Sequence, residues 1–72
     1  MNVEEVKDYL ETKLPEFTLT TGKEAGQPEQ NWNSIQVLRD GLHIVYDVSK
    51  VEDKKAAKQL LKLIQAQWSK VE

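Results

Sequence analysis

Four lysines in the second half of the chain have the spacing that places side chains on one side of a helix. Lys54, Lys58 and Lys62 recur every four residues, and Lys55 lies beside them. Ammonium groups clustered at the start of a helix can contact phosphates, because the positive end of the helix dipole adds to their attraction. These lysines are therefore candidates for nucleic-acid binding. The alternative is a solvated face, since amphipathic helices commonly carry lysines.

Acidic residues are concentrated in the first half of the chain. Residues 1–30 hold three lysines and seven acids, a net charge of −4, whereas residues 31–72 hold seven basic residues and five acids, a net charge of +2. Glu4, Asp8 and Glu11 follow one another at four- and three-residue steps, which places them on one side of a helix. This stripe is either a solubilising surface or a recognition site that a basic partner contacts.

Catalysis and metal binding have few candidate residues. The chain contains one histidine and no cysteine. His43 and Asp47 share a face of one predicted strand, but the strand rise separates them by about 13 Å, too far to share a proton or a metal. Thr21-Gly22-Lys23 lacks the upstream glycine and the following hydroxyl residue of a phosphate-binding loop. We therefore expect no enzymatic activity, no metal, no cofactor and no small-molecule substrate.

A hairpin is the clearest structural pattern in the sequence. Trp32–Arg39 and Leu42–Val48 flank Asp40-Gly41, a residue pair preferred in two-residue hairpin turns. This turn fixes the register of the two strands and so decides which residues share a face. One face is strongly apolar and is expected to meet the helices; it carries Ile35, Val37, Ile44 and Tyr46.

The opposite face of the hairpin is expected to lie largely in water. It carries Leu38, His43 and Val45, with Trp32 at its end. Exposed apolar and aromatic side chains of this kind are typical of protein contact surfaces. These four residues are therefore candidates for protein binding. The alternative for Trp32 is that its ring closes one end of the core.

Two amphipathic helices are predicted, one on each side of the strands. The first spans about residues 3–14, with Asn2 and Glu5 at capping-box spacing and Pro15 at its end. The second runs from about Lys50 to Lys70, with Ser49 and Glu52 at the same spacing. Its apolar stripe is Ala57, Leu60, Leu61, Ile64, Trp68 and Val71.

A short strand and a long loop precede the hairpin. Phe17–Thr20 alternates apolar and polar residues, which favours a strand. Residues 21–31 are polar and contain two glycines and a proline, which predicts an exposed loop long enough to suggest binding. Residues 1–72 thus form a single α+β domain in two layers and α-β-β-β-α order. A three-stranded antiparallel sheet is expected to carry both helices on one face.

Nothing in the sequence predicts a membrane protein. No apolar run approaches the roughly 18 residues that a spanning helix needs. The acidic segment 1–5 lacks the basic start and apolar stretch of a secretion signal. We expect a cytoplasmic protein.

The chain resembles the double-stranded RNA-binding domain family. Its element order is the family's, Lys54-Lys55-Ala56-Ala57-Lys58 matches the family's Lys-Lys-x-Ala-Lys motif, and Gly26-Gln27-Pro28 falls where the family has a Gly-Pro turn. The resemblance implies recognition of A-form duplex by shape, with the lysines on phosphates and the first helix and the loop in adjacent minor grooves. The chain departs from the family in its acidic first helix and in Glu52 and Asp53, which precede the lysines.

The chain also resembles small phage-encoded inhibitors, which include some anti-CRISPR proteins. The shared features are the helix–three strands–helix order, a Met-Asn start, a hairpin with glycine and an acidic first half. This resemblance implies that the first helix imitates nucleic acid. Taken together, the patterns predict a non-enzymatic module that binds a macromolecule, with a protein partner favoured over duplex nucleic acid.

Overall fold

Two helices flank three strands in the order that the sequence pattern predicts. The structure is a computed structural model that describes residues 1–69. The elements are α1 (Val3–Lys13), β1 (Thr18–Thr21), β2 (Ser34–Arg39), β3 (Leu42–Asp47) and α2 (Lys54–Ser69), with a short 3-10 turn at Glu29–Asn31. The predicted α+β class and element order are confirmed.

Reciprocal hydrogen bonds start α1 where the sequence predicts. The Asn2 side chain accepts from the Glu5 backbone N–H at 2.9 Å, and the Asn2 N–H donates to the Glu5 carboxylate at 3.1 Å. The helix ends at Lys13, where the Leu14 N–H closes the last turn on the Leu10 carbonyl at 2.8 Å. Pro15 follows and cannot continue the helix.

The hairpin has the predicted turn and register. Asp40 and Gly41 both have positive φ, at 53° and 79°, as a two-residue turn of this kind requires. The cross-strand pairs are Arg39 with Leu42, Leu38 with His43, Val37 with Ile44, Gln36 with Val45, Ile35 with Tyr46 and Ser34 with Asp47. The strand β1 pairs antiparallel with β2, so the sheet order is β1-β2-β3.

Both helices pack on one face of the sheet. The sheet contributes Leu19, Ile35, Val37 and Tyr46 to the core, and Ile44 is partly buried beside them. The helices contribute Val6, Leu10, Leu61, Ile64 and Trp68. Phe17 lies just before β1, and its ring meets the Trp68 ring edge-on with centroids 5.1 Å apart. The four hairpin residues predicted to point inward therefore do so.

The second helix begins later than predicted. It starts at Lys54, where the Asp53 carboxylate accepts from the Ala56 backbone N–H at 2.9 Å. The predicted capping box of Ser49 and Glu52 is wrong, because the Ser49 N–H donates instead to the Asp47 carboxylate at 2.9 Å. Lys70 and Val71, predicted at the end of this helix, lie outside the described residues.

Candidate functional site

Hydrogen bonds from the segment after β1 satisfy the outward backbone groups of Thr21, the last residue of that strand. The Thr21 N–H donates to the Glu24 carboxylate at 3.2 Å, and the Glu24 N–H donates to the Thr21 hydroxyl at 3.1 Å. The Ala25 N–H donates to the Thr21 carbonyl at 3.0 Å. Thr21 is fully buried as a result, with both of its outward backbone groups satisfied.

The carboxylate of Glu24 also ties the loop to α1. Lys7 Nζ lies 3.0 Å from Glu24 Oε1 and 3.3 Å from Glu11 Oε1. The hydrogen bond with Glu24 raises the pKa of Lys7. The same bond, together with the Thr21 N–H, lowers the pKa of the Glu24 carboxyl. The loop after β1 is thus held by an ion pair as well as by its own backbone.

Close backbone contact holds the two ends of the loop together. The Gly22 N–H donates to the Ser34 carbonyl at 2.9 Å, and the Ser34 hydroxyl donates to the Asn31 carbonyl. A Cβ atom on Gly22 would lie 2.0 Å from the Asn31 carbonyl oxygen, which is inside van der Waals contact. Only glycine fits this position without a shift of the backbone.

Trp32 fastens the loop and is not part of β2. Its backbone N–H donates to the Glu29 carbonyl at 3.1 Å, so it ends the 3-10 turn and the strand begins at Ser34. Its indole N–H donates to the Gln27 carbonyl at 2.9 Å, and the Lys23 ammonium lies 5.1 Å from the ring centroid. The predicted strand start at Trp32 is therefore wrong. The half-buried ring instead contacts residues of the loop and stabilises its conformation.

The outer face of the sheet lies opposite the helices and carries the other residues expected to bind protein. Leu38 is half-buried there, His43 is exposed, and Val45 is 58% exposed. Val45 also borders a cleft of about 500 Å³ between this face and the loop. The cleft is lined mainly by hydroxyl and amide side chains, among them Thr20, Gln27, Asn33 and Gln36.

The single histidine lies apart from other groups that could share its chemistry. His43 pairs across the hairpin with Leu38, and its neighbours on β3 are Leu42 and Ile44. Within residues 1–69, no group of three or more histidine, aspartate or glutamate side chains is placed to hold a metal ion.

The acidic stripe of α1 is exposed but is interrupted by a cation. Glu4, Asp8 and Glu11 all face solvent. Glu11 shares the Lys7 ammonium with Glu24, as described above. The stripe is therefore partly neutralised in the middle of the helix.

The four lysines lie on the exposed side of α2. Lys54 and Lys55 occupy its first turn, and Lys58 and Lys62 follow on the next two turns. Among residues 1–69, no acidic side chain forms an ion pair with any of the four. The Asp53 carboxylate, which caps the helix, lies directly before them in the chain.

A partly buried polar contact joins β3 to α2. The Tyr46 hydroxyl donates to the Gln67 side-chain oxygen, which places Gln67 on the side of α2 that faces β3. Burial raises the pKa of the Tyr46 hydroxyl, and the neighbouring Trp68 indole offsets part of the rise. The Trp68 indole N–H is buried and has no hydrogen-bond acceptor among the described residues. The pattern of apolar residues could not have revealed this contact, because Gln67 carries no apolar signal.

Comparisons with known proteins return no match: the chain matches no family model, no curated protein and no solved structure. In residues 1–69, no helix combines the length and the apolar character that crossing a membrane requires.

Proposed function

We propose that this chain is a non-enzymatic protein-binding module whose contact surface is the outer face of the sheet and the adjoining cleft. The observation that supports this most directly is Val45, a large apolar side chain that is 58% exposed beside the cleft. Half-buried Leu38 and exposed His43 extend the same face. Apolar side chains around a polar cleft are typical of a protein contact surface.

The lining of the cleft fits an extended polypeptide segment. Side-chain amides and hydroxyls can donate to and accept from a peptide backbone, and Gln27, Asn33 and Gln36 supply them here. The loop that forms one wall is held by Trp32 and by the Lys7–Glu24 ion pair. A braced wall loses little conformational entropy when a partner binds, which favours affinity.

Duplex nucleic acid is the second candidate. The observation that favours it is the exposed lysine cluster, Lys54, Lys55, Lys58 and Lys62, which has no acidic partner among the described residues. Against it, Asp53 precedes the lysines, and α1 carries exposed Glu4 and Asp8, which would repel a second phosphate backbone. An inhibitor with a nucleic-acid-like α1 is weaker still, because Lys7 neutralises part of the acidic stripe.

One set of variants separates the two leading candidates. Wild-type protein, Val45→Asp and the pair Lys54→Glu with Lys58→Glu are immobilised and exposed to a lysate, and captured proteins are quantified. In parallel, each variant is titrated with duplex RNA and duplex DNA at low salt. We expect a specific captured protein that Val45→Asp loses and the lysine variant keeps, with no duplex binding.

Two controls show whether a loss of binding comes from the altered surface or from unfolding of the variant. Val45→Thr keeps the branched shape and is expected to retain most of the capture, and circular dichroism checks that each variant is folded. Duplex binding that falls steeply with salt and disappears in the lysine variant would replace the proposal with nucleic-acid recognition. Capture that survives Val45→Asp would also contradict it.

A further inference from the structure

The edge of β3 that faces away from β2 is open. The Val48 N–H donates to the Asn33 carbonyl at 2.8 Å, which shows that even-numbered residues here point their backbone groups toward β2. Backbone direction alternates along an antiparallel strand, so His43, Val45 and Asp47 point theirs outward. All three residues are exposed. Their N–H and C=O groups therefore form a template to which another strand can bond.

This edge lacks several of the devices that usually prevent strand addition. Natural edge strands are commonly protected by proline, by lysine, by a bulge or by a covering loop. The segment Leu42–Asp47 contains no proline and no lysine, and it pairs with β2 in continuous register without a bulge. An unprotected edge of this length favours a partner strand.

We propose that two copies of this chain pair through antiparallel β3 strands, with Val45 opposite the partner's Val45 and His43 opposite the partner's Asp47. The inference goes beyond the proposed function, because it concerns the backbone edge of β3 and not the cleft on the outer face. The pairing is symmetric, as most homodimer contacts are. It supplies about six backbone hydrogen bonds between the copies, two for each of the three outward-facing pairs.

Hydrogen-bond complementarity selects this register, because an imidazole N–H can donate to a carboxylate. A shift by one residue would set outward-facing groups against inward-facing ones and lose the hydrogen bonds. A shift by two residues would set Val45 opposite His43 or Asp47 of the other copy. Only the register centred on Val45 places each histidine against a carboxylate, on the same face as the two valines. The Ser49 N–H donates to the Asp47 carboxylate and lowers its pKa.

The side of α2 that faces β3 also suits a second copy. Gln67 marks that side through its bond to Tyr46, and Leu63 and Leu60 lie on it at helical spacing. Leu63 is 49% exposed, as is Leu42 on β3. With Val45, these are the large apolar residues that remain exposed in the described part of the chain. The lysines of α2 lie on a different side of the helix from Leu60, Leu63 and Gln67.

Sedimentation equilibrium tests the pairing between about 10 μM and 1 mM, a range that suits a small interface. We expect a monomer–dimer equilibrium for wild-type protein. His43→Glu places like charges opposite each other twice per dimer and is expected to weaken dimerisation about tenfold. Combining it with Asp47→Lys sets a carboxylate opposite an ammonium group in each pair and is expected to restore dimerisation. Thermal unfolding of each variant, measured at a concentration where the protein is monomeric, checks that the substitutions have not destabilised the folded monomer.

Isotope-filtered NMR on a mixture of labelled and unlabelled protein reads the register directly. In the proposed pairing, Ile44 and the partner's Tyr46 form a pair whose Hα atoms approach closely. The same two atoms lie about 7 Å apart within one strand, so the signal is intermolecular. We expect an intermolecular Hα–Hα contact between residues 44 and 46.

Three outcomes would overturn the inference. A monomer at all concentrations excludes the dimer while leaving the proposed protein-binding cleft untouched. A dimer without the 44–46 contact places the interface elsewhere. A dimer that His43→Glu leaves unchanged excludes the pairing of His43 with Asp47 that selects the register, and so does a failure of the double variant to restore dimerisation.

Discussion

The two edges of the sheet differ in what their outward backbone groups meet. At the β1 edge, the N–H and C=O of Thr21 bond to Glu24 and Ala25, and the residue is fully buried. At the β3 edge, Val45 points the same groups into solvent and is 58% exposed. The β1 edge is thus closed at Thr21, and we refer to it as the closed edge, whereas the β3 edge is open at Val45.

The difference comes from the segment that follows each strand. The chain leaving β1 turns back on itself, because Glu24 reaches both the Thr21 N–H and the Lys7 ammonium. The chain leaving β3 runs on toward α2, and the Asp47 carboxylate bonds to the Ser49 N–H instead of to its own strand. In this sheet, the residues that follow each strand thus contribute to whether its outward backbone groups find a partner within the chain.

The largest expected effect comes from the tight contact that holds the closed edge. Gly22→Ala places a methyl group against the Asn31 carbonyl, where the backbone must move. We expect a loss of about 3 kcal/mol in the free energy of unfolding, as for overpacked sites, measured by urea denaturation. Gly26→Ala is the matched control: nothing lies near its Cβ, and only its positive φ of 74° costs about 1 kcal/mol. If both variants lost the same free energy of unfolding, the close contact between Gly22 and the Asn31 carbonyl would be contradicted.

Proline substitution compares the two edges directly. Thr21→Pro removes a buried N–H that bonds to Glu24 and is expected to cost about 2 kcal/mol. Val45→Pro removes an N–H that points to solvent, and proline is tolerated at such edge positions. We expect its cost to be clearly smaller. Equal costs by urea denaturation would show that the edges do not differ in the way described.

The hydrogen bond of Trp32 is expected to contribute less. Trp32→Phe keeps a ring beneath Lys23 but removes the indole N–H that donates to Gln27. We expect a loss of about 1 kcal/mol, with faster amide exchange confined to the loop. Trp32→Ala removes ring and donor and is expected to cost more. If Trp32→Phe had no effect on stability or exchange, the loop would not depend on that bond.

The ion pair of Glu24 is expected to give the smallest effect, and one that depends on pH. The pKa of Glu24 is lowered in the folded protein, so its contribution is present above the ordinary glutamate pKa of about 4.3 and is lost as pH falls through the folded value. Glu24→Gln should therefore lower the melting temperature slightly at pH 7, and the difference should shrink at acidic pH. Glu16→Gln, at an exposed carboxyl without an ion pair within residues 1–69, serves as the control. A constant difference across pH would exclude the ion pair as the cause.

Local sequence signals predicted most of the fold. Asp40-Gly41 fixed the hairpin register because two positive φ angles leave few alternatives, and Asn2 with Glu5 started α1 as expected. The same spacing misled at Ser49 and Glu52, because Asp53 caps α2 instead. Capping-box spacing occurs at both places, but only Asn2 and Glu5 form the capping box. The spacing alone therefore does not show where a helix begins.

The closed edge was harder to predict. Thr21 and Glu24 also have capping-box spacing, and they form the reciprocal bonds although no α-helix follows. This spacing is a local sequence signal for the turn that closes the edge. The contact of Lys7 with Glu24 has no local signal, since the two residues belong to different elements. The sequence pattern predicts that the strand starts at Trp32, but the contacts of this residue depend on the conformation of the whole loop.

Amide hydrogen exchange in the dilute monomer tests the difference between the edges most directly. We expect fast exchange at His43 and Val45, slow exchange at Ile44 and Tyr46, and slow exchange at Thr21, because only the first two amides point to solvent. Protection of the Val45 amide in the dilute monomer, or fast exchange at Thr21, would contradict the account.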